Sequence, residues 1–202
     1  MTEYDLGGAR RSRRAYSFDE VSVVPSRRTR DAADVDLGWQ IDAYRFGAPI
    51  MAAPVDSVMS PHSAALLSDL GLLSVLSLEG VWTRYEDPEP QLAAIAAAAP
   101  DEATVLMQQI YSRPIDRDLV ARRIADLRSP GRVVAGAVSP AHAAELAPIA
   151  VAAGLDLLVI DYLGKIRRPE SKKSTNDSIA DVSGALKDLT GELEIPILCL
   201  HQ

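Results

Sequence analysis

The chain has 202 residues, 48% of them hydrophobic, and its formal net charge of −7 argues against a nucleic-acid or membrane surface spread over the whole molecule. No apolar run approaches the roughly 20 residues of a membrane span, and the polar, basic segment Met1–Arg14 lacks the apolar core of a secretory signal. The single cysteine, Cys199, excludes an internal disulfide framework and indicates a reducing cytoplasm.

A strand–helix–strand unit is predicted in the first part of the chain. Residues 1–47 read as an irregular arm with at most short strands, such as Val21–Val24. The apolar run Pro49–Pro54 has the length of a buried strand. Ser60 can cap the helix that follows, and Leu72–Leu78 predicts the next strand.

Two helices and a second unit of the same kind follow. One helix begins near Asp87–Pro88. The other turns four apolar residues inward: Leu119, Val120, Ile124 and Leu127. Strand Arg132–Val138 then leads to an alanine-rich helix and to strand Leu155–Ile160. Because proline lacks a backbone N–H, Pro148 inside that helix predicts a kink or a break.

The clearest amphipathic helix is predicted near the C-terminus. Its apolar residues are spaced three, four, three and four apart: Ile179, Val182, Leu186, Leu189 and Leu193. A final apolar strand is predicted at Ile195–Leu200, in which Cys199 is expected to be a buried core residue. Strands that alternate with helices imply a parallel sheet with right-handed crossovers, so the predicted class is α/β.

The use of basic residues changes abruptly near Asp161. The first 160 residues contain fifteen arginines and no lysine, whereas the last 42 contain four lysines and two arginines. Away from bidentate or stacked contacts the two side chains serve equally well on a solvated surface, so folding alone gives little reason for the change. One explanation is chance, together with local requirements for one or the other side chain. The other explanation is that two sequences of different origin meet near Asp161.

Four segments carry a family resemblance: Tyr16–Pro25, Pro49–Val58 (PIMAAPVDSV), Leu78–Pro90 and Gly154–Ile160 (GLDLLVI). Over about residues 4–160 the chain resembles the IMP dehydrogenase/GMP reductase family, and in particular its short actinobacterial type without an inserted CBS pair. The resemblance implies a TIM (β/α)8 barrel that binds a purine nucleotide and NAD or NADP. It also implies oxidoreductase chemistry on the purine, with a cysteine nucleophile on a flexible loop.

The resemblance implies site residues in the segment that follows the first strand. Asp56 and Ser57 match the family motif at a strand's C-terminal end and are candidate nucleotide-binding residues. A loop turn and a helix cap are the alternative roles for these two residues. No catalytic residue is assigned, because the chain is expected to stop before the cysteine loop and Cys199 lacks that loop's surroundings.

The tail, residues 161–202, carries a different resemblance. The pattern runs from VIDYL at Val159–Leu163 through Ile179–Lys187 to Ile195–Gln202, and over about residues 155–202 it resembles the ATPase domain of hexameric replicative DNA helicases. The resemblance implies that Asp161 helps to hold Mg²⁺ beside ATP and that Gln202 senses the nucleotide. No G-x-x-x-x-G-K-[ST] phosphate loop occurs in the sequence.

Three roles stay open for Asp161: a strand-end cap, a relic of the ATPase metal site, or the ribose contact of a dinucleotide that IMP dehydrogenases place there. The basic loop behind it reads first as solvated and flexible, so nucleic-acid binding is not expected. Its charged residues are Lys165, Arg167, Arg168, Glu170, Lys172 and Lys173. His62 and His142 lie apart from any metal-ligand pattern and are expected to be surface polar residues.

The elements and resemblances together predict an open, incomplete TIM barrel built on a parallel α/β sheet, since a closed barrel needs about 200–250 residues or more. Residues 1–160 would form the partial barrel and residues 161–202 the helicase-like strand end, helix and strand. Open sheet edges favour self-association.

The predicted function is that of a cytoplasmic, purine-nucleotide oxidoreductase-type chain, truncated before the cysteine loop and inactive alone. A purine nucleotide and NAD or NADP are the expected ligands, and a membrane is not an expected partner. A helicase-derived fragment that binds Mg-ATP and a non-functional fusion of the two are the alternatives.

Overall fold

The computed structural model describes residues 3–5, 11–13, 18–22, 24, 31–161, 184 and 186–200. The chain divides into two compact units, Met1–Asp36 and Leu37–Gln202, and each is described by itself. The division predicted at residue 160 stays a prediction.

The first unit contains a small antiparallel hairpin. Strands β1 (Glu3–Asp5) and β2 (Arg11–Arg13) pair with acidic residues opposite arginines at both ends. Short 3-10 turns follow at Phe18–Glu20 and Ala32–Asp34. The strand predicted at Val21–Val24 is wrong in its described residues, which lie outside any strand, because a strand requires a partner and pairing in this unit joins β1 to β2.

A four-stranded parallel sheet forms the centre of the second unit. Its strands are β5 (Val75–Ser77), β6 (Ala135–Val138), β7 (Leu157–Ile160) and β8 (Ile197–Cys199), in that spatial order. All residues of β6 and β7 are buried, as expected for parallel strands covered on both faces. The predicted α/β class with a parallel sheet is confirmed, and the described residues form no closed barrel.

The strand predicted at Pro49–Pro54 is reduced to one bridge. Met51 pairs in parallel with Leu73, and the Ala52 N–H donates to the Leu73 carbonyl at 3.1 Å. Ile50 is 57% exposed. Because the two prolines supply no N–H to a ladder, the pairing does not extend into a regular strand.

A second hairpin covers one face of the sheet. Strands β3 (Trp39–Ile41) and β4 (Tyr44–Phe46) pair antiparallel. Phe46 packs in a buried cluster with the side chains that point to that face of the sheet: Leu73, Val75, Ala135, Ala137, Leu157 and Val159. The sequence reading of residues 1–47 as an irregular arm with at most short strands allows these three-residue strands but did not place them.

Helices pack on the opposite face of the sheet, and six are described: α1 (Pro61–Asp69), α2 (Glu89–Ala97), α3 (Pro100–Tyr111), α4 (Arg117–Leu127), α5 (Ala143–Ala152) and α6 (residues 184 and 186–193). Helices α1, α4, α5 and α6 contribute side chains to the core cluster on this face, whereas α2 and α3 contribute none. The predicted Ser60 cap is confirmed as a reciprocal capping box with Ser63. In the part of the chain that the structure describes, no helix is long and apolar enough to cross a membrane.

Two helix predictions have different outcomes, and one helix was not predicted. The four residues predicted to face inward from α4 are all buried. Pro148 lies inside α5 without interrupting it, so a break is wrong, and the kink that was predicted as its alternative stays a prediction. Helix α3 was not predicted, since the alanine run before Pro100 reads as a continuation of α2, whereas Pro100 occupies the first turn of a new helix.

The tail supplies β8, which is an edge strand of the sheet, and α6, which packs against the sheet. β8 pairs in parallel with β7, with Leu158 opposite Ile197 and Ile160 opposite Cys199. Leu193 of α6 is buried, whereas Ile179 and Val182 lie outside the described residues. Cys199 is half-buried at the edge strand rather than fully buried, because β8 has a sheet neighbour on one side among the described strands.

Candidate functional site at the carboxyl edge of the sheet

Polar side chains follow three neighbouring strands at the edge where the strands end, called the carboxyl edge below. Glu79 follows β5, Ser139 follows β6 and Asp161 follows β7. Parallel strands end at the same edge of a sheet, and ligands of α/β proteins bind at this edge. The carboxyl edge is therefore the candidate functional site.

Glu79 joins the loops that follow β5 and β6. Its Oε2 accepts a hydrogen bond from the Ser139 N–H at 2.5 Å, and its Oε1 accepts one from the Ser139 hydroxyl at 2.9 Å. The same Oε1 contacts Nδ1 of His142, which stands at the N-cap of α5. The Glu79 side chain is 22% exposed and that of His142 is 44% exposed. This cluster of Glu79, Ser139 and His142 is called the glutamate–histidine cluster below.

Two side chains hold the loop that carries Glu79 by donating hydrogen bonds to its backbone carbonyls. The buried Thr83 hydroxyl donates to the Leu78 carbonyl at 2.9 Å, and Arg84 Nε donates to the Glu79 carbonyl at 3.1 Å. A short 3-10 turn, Val81–Thr83, stands between these two anchors. Glu79 is thus held on a braced loop, which limits how far its carboxylate can move.

Asp56 forms a second polar contact beside the same loop. Its Oδ2 accepts hydrogen bonds from the Val81 N–H at 2.8 Å and from the Tyr111 hydroxyl at 2.5 Å. Its Oδ1 is buried and has no hydrogen-bond partner among the described residues. A Cβ built on Gly80 would lie only 2.2 Å from Oδ1, so the carboxylate rests against a backbone position that requires glycine.

The environment of Tyr111 favours its neutral phenol. Burial raises the pKa of Tyr111, and the hydrogen bond to Asp56 and that residue's negative charge raise it further, while Arg84 acts in the opposite direction. Arg84 lies over the Tyr111 ring at 5.8 Å from its centroid. The hydroxyl is therefore held as a donor to the carboxylate over the neutral pH range.

Tyr111 should titrate late and should weaken the fold in alkali. Because its pKa is raised by folding, the stability that it contributes is present below the ordinary tyrosine pKa of about 10 and is lost as the pH rises above that value. Tyrosinate absorbance should show a late-ionising phenol that the Tyr111→Phe variant lacks. An unchanged titration curve in that variant would contradict the assignment.

The structure places the four predicted site residues differently. Asp56 lies in a turn and accepts hydrogen bonds from the distant residues Val81 and Tyr111, while Ser57 is exposed in the same turn. Asp161 lies half-buried at the end of β7, and its N–H donates to the Val138 carbonyl at 3.1 Å. Gln202 lies outside the described residues, as does the basic loop. Ligand contacts by these residues stay predictions.

Sequence reasoning missed the glutamate–histidine cluster. His142 was expected to be a surface polar residue, and its side chain is 44% exposed, but the contact of its Nδ1 with Glu79, 63 positions away in sequence, was not predicted. A pairing over that distance leaves no spacing pattern, and only the strand order brings the two loops together. Within the described residues, no group of three or more His, Cys, Asp or Glu side chains could hold a metal ion.

Two kinds of known protein match the chain. A family model described as the DnaB-like helicase C terminal domain matches residues 141–202. An uncharacterized oxidoreductase of Mycobacterium tuberculosis is 41% identical over 199 residues, covering 96% of this chain and 51% of that protein. The crystal structure of an IMP dehydrogenase/GMP reductase-like protein from Corynebacterium glutamicum has a TM-score of 0.78 at 37% identity, covering 99% of this chain and 52% of that one.

A shorter match concerns the tail. A probable plasmid replicative DNA helicase of Chlamydia psittaci is 41% identical over 49 residues, which is 24% of this chain and 11% of that protein. Together with the family model, this match confirms the predicted helicase resemblance of the tail.

The oxidoreductase matches confirm the predicted resemblance to the IMP dehydrogenase/GMP reductase family, and the structural match confirms the partial TIM barrel. The chain spans about half the length of the curated relatives it matches. Because these matches cover 96% to 99% of the chain, they extend beyond residue 160 into the segment matched by the helicase model. The two resemblances therefore overlap in the tail.

Proposed function

We propose that this IMP dehydrogenase/GMP reductase-like chain binds a purine nucleotide or NAD(P) at its carboxyl edge and does not complete the redox reaction by itself. One observation carries the proposal: in a chain with oxidoreductase relatives, Glu79, Ser139, His142 and Asp161 follow neighbouring parallel strands at the edge where such proteins bind ligands.

The residues present fit a dinucleotide at Asp161 better than at Asp56. A carboxylate accepts hydrogen bonds from ribose hydroxyls, and that of Asp161 has no hydrogen-bond partner among the described residues. The carboxylate of Asp56 already accepts from Val81 and Tyr111, so a ligand there would have to displace one of them. When bound, NAD(P) would supply hydride transfer, and Asp161 would hold its ribose.

The cysteine chemistry of the family is the part that these 202 residues do not supply. Nucleophilic cysteine acts as the thiolate. Cys199, the single cysteine of the sequence, lies in β8, where burial raises the pKa of its thiol. Because a raised pKa leaves less of the thiol as thiolate, attack of Cys199 on a purine is disfavoured. This supports the proposal that binding occurs without turnover.

The proposal is tested by binding and turnover assays on the same protein. Calorimetric titration with IMP and with NAD⁺ should show binding of at least one ligand, and Asp161→Asn should weaken NAD⁺ binding because an amide offers one acceptor oxygen instead of two. Incubation with both ligands should give no rise in NADH absorbance. Asp19→Asn serves as a matched control at an exposed aspartate in the first unit. Clear turnover, or no binding of either nucleotide, would contradict the proposal.

The helicase match over residues 141–202 supports a second candidate, binding of Mg-ATP at Asp161. In the replicative helicases that the tail resembles, the matching aspartate helps to hold Mg²⁺. A lone carboxylate without a phosphate loop is, however, a weak magnesium site. Protection against thermal unfolding by Mg-ATP, absent in Asp161→Asn and absent with NAD⁺, would favour this candidate over the first.

A further inference from the structure

We propose that Nε2 of His142 is a hydrogen-bond acceptor for a ligand hydroxyl at the carboxyl edge and that Glu79 is the residue that positions it. The inference rests on the proposed nucleotide site and assigns it a residue outside the motifs that carry the family resemblance. The ligand group that it selects is a hydroxyl donor, such as a ribose hydroxyl of a nucleotide.

The contact with Glu79 sets the tautomer of the imidazole. An ionised carboxylate has no hydrogen to donate, so the ring nitrogen beside Glu79 Oε1 must carry the hydrogen. A neutral imidazole carries only one such hydrogen. Nε2 is then left with its lone pair, and among the described residues it has no hydrogen-bond partner.

The position of Glu79 is itself fixed, which gives the imidazole a defined orientation. Both oxygens of the carboxylate are engaged by Ser139, and Arg84 Nε anchors the Glu79 carbonyl. The His142 side chain is 44% exposed, so a ligand can reach the ring. A carboxylate that binds one imidazole nitrogen and leaves the other for the ligand is an arrangement that proteins use to fix the tautomer and the orientation of a histidine ring.

The strand order brings a second acceptor to the same edge. Asp161 follows β7, the sheet neighbour of the strand that precedes Ser139 and His142. A carboxylate and an unprotonated imidazole nitrogen both accept hydrogen bonds, and neither donates one. The two acceptors suit a ligand that offers hydroxyl hydrogens, and a ribose diol is such a group.

Imidazole ¹⁵N NMR tests the assignment, with His62 as the matched control on α1, where it is exposed. In the neutral imidazole of the free protein, His142 should carry its hydrogen mainly at Nδ1, and His62 should show the Nε2-protonated form that prevails in solution. Glu79→Ala should return His142 to that form. A mainly Nε2-protonated His142 in the wild-type protein would overturn the proposal.

Ligand addition separates this inference from the proposed function. Saturation with the nucleotide that binds by calorimetry should shift the Nε2 resonance of His142 and leave that of His62 in place. His142→Phe should lower the affinity for that nucleotide by about five- to tenfold, which is the effect of losing one hydrogen bond, and His62→Phe should leave the affinity unchanged. Binding without a shift at His142, or with equal affinity in His142→Phe, overturns the inference alone. The absence of all nucleotide binding overturns the proposed function and the inference together.

Discussion

Leu158→Ala should lower the free energy of unfolding by about 3–4 kcal/mol, the range measured for leucine deletions in well-packed cores. Leu158 is fully buried in β7, between Gly136 of β6 and Ile197 of β8. Its side chain belongs to the core cluster that α4, α5 and α6 cover. Removing it leaves a cavity at the strand that joins the tail to the rest of the sheet. Urea denaturation measures the effect as a lowered midpoint.

Leu70→Ala is the matched control for this prediction. Leu70 lies at the end of α1 and is 72% exposed, so the same deletion should change the stability by less than about 0.5 kcal/mol. Equal effects of the two substitutions would show that β7 is not the packed centre of the sheet.

Gly80→Ala should destabilise the protein by about 3 kcal/mol. The added Cβ would lie 2.2 Å from Oδ1 and 2.7 Å from Oδ2 of Asp56, both far inside contact distance. Relief requires that the short Asp56 side chain move away, which breaks its bonds from Val81 and Tyr111. Overpacking and the loss of two partly buried hydrogen bonds each cost about 1–3 kcal/mol. Thermal unfolding followed by circular dichroism measures the loss.

Gly191→Ala is the same substitution at a position where it should raise the stability instead of lowering it. Gly191 lies in α6, and a Cβ there would meet nothing within 4 Å. Alanine in a helix is favoured over glycine by about 1 kcal/mol, so this variant should be slightly more stable than the wild type. Destabilisation by Gly191→Ala as large as that by Gly80→Ala would contradict the close approach of Asp56 to Gly80.

Helices in which apolar residues repeat at helical spacing over several turns were predictable from the sequence. The α4 residues Val120, Ile124 and Leu127 face the core because their spacing of four and three residues follows the helical repeat. Helix α3 was missed because Pro100, at its start, directly follows a run of alanines that composition assigns to one continuous helix. The run Pro49–Pro54 looked like a buried strand, but its two prolines limit pairing to Met51.

The candidate site was predictable only where local motifs mark it. Asp56 and Asp161 follow apolar runs and could be placed at strand ends from the sequence. The hydroxyl of Tyr111 lies 55 positions from its acceptor Asp56, and the Glu79–His142 contact spans 63. Contacts of this kind depend on strand order and on the packing of helices that the sequence did not delimit. The change from arginine to lysine near Asp161 predicts where the tail begins, and that boundary stays a prediction; it gave no sign that β8 pairs with β7.

Residue-resolved hydrogen exchange at the junction of β7 and β8 tests most directly the claim that the helicase-like tail completes the oxidoreductase-like sheet. The Leu200 N–H donates to the Ile160 carbonyl and the Leu158 N–H to the Pro196 carbonyl, whereas the Asp161 N–H donates to Val138 on the β6 side. The account predicts that the amides of Leu158 and Leu200 are protected like that of Asp161. Rapid exchange at Leu158 and Leu200, with Asp161 still protected, would contradict it.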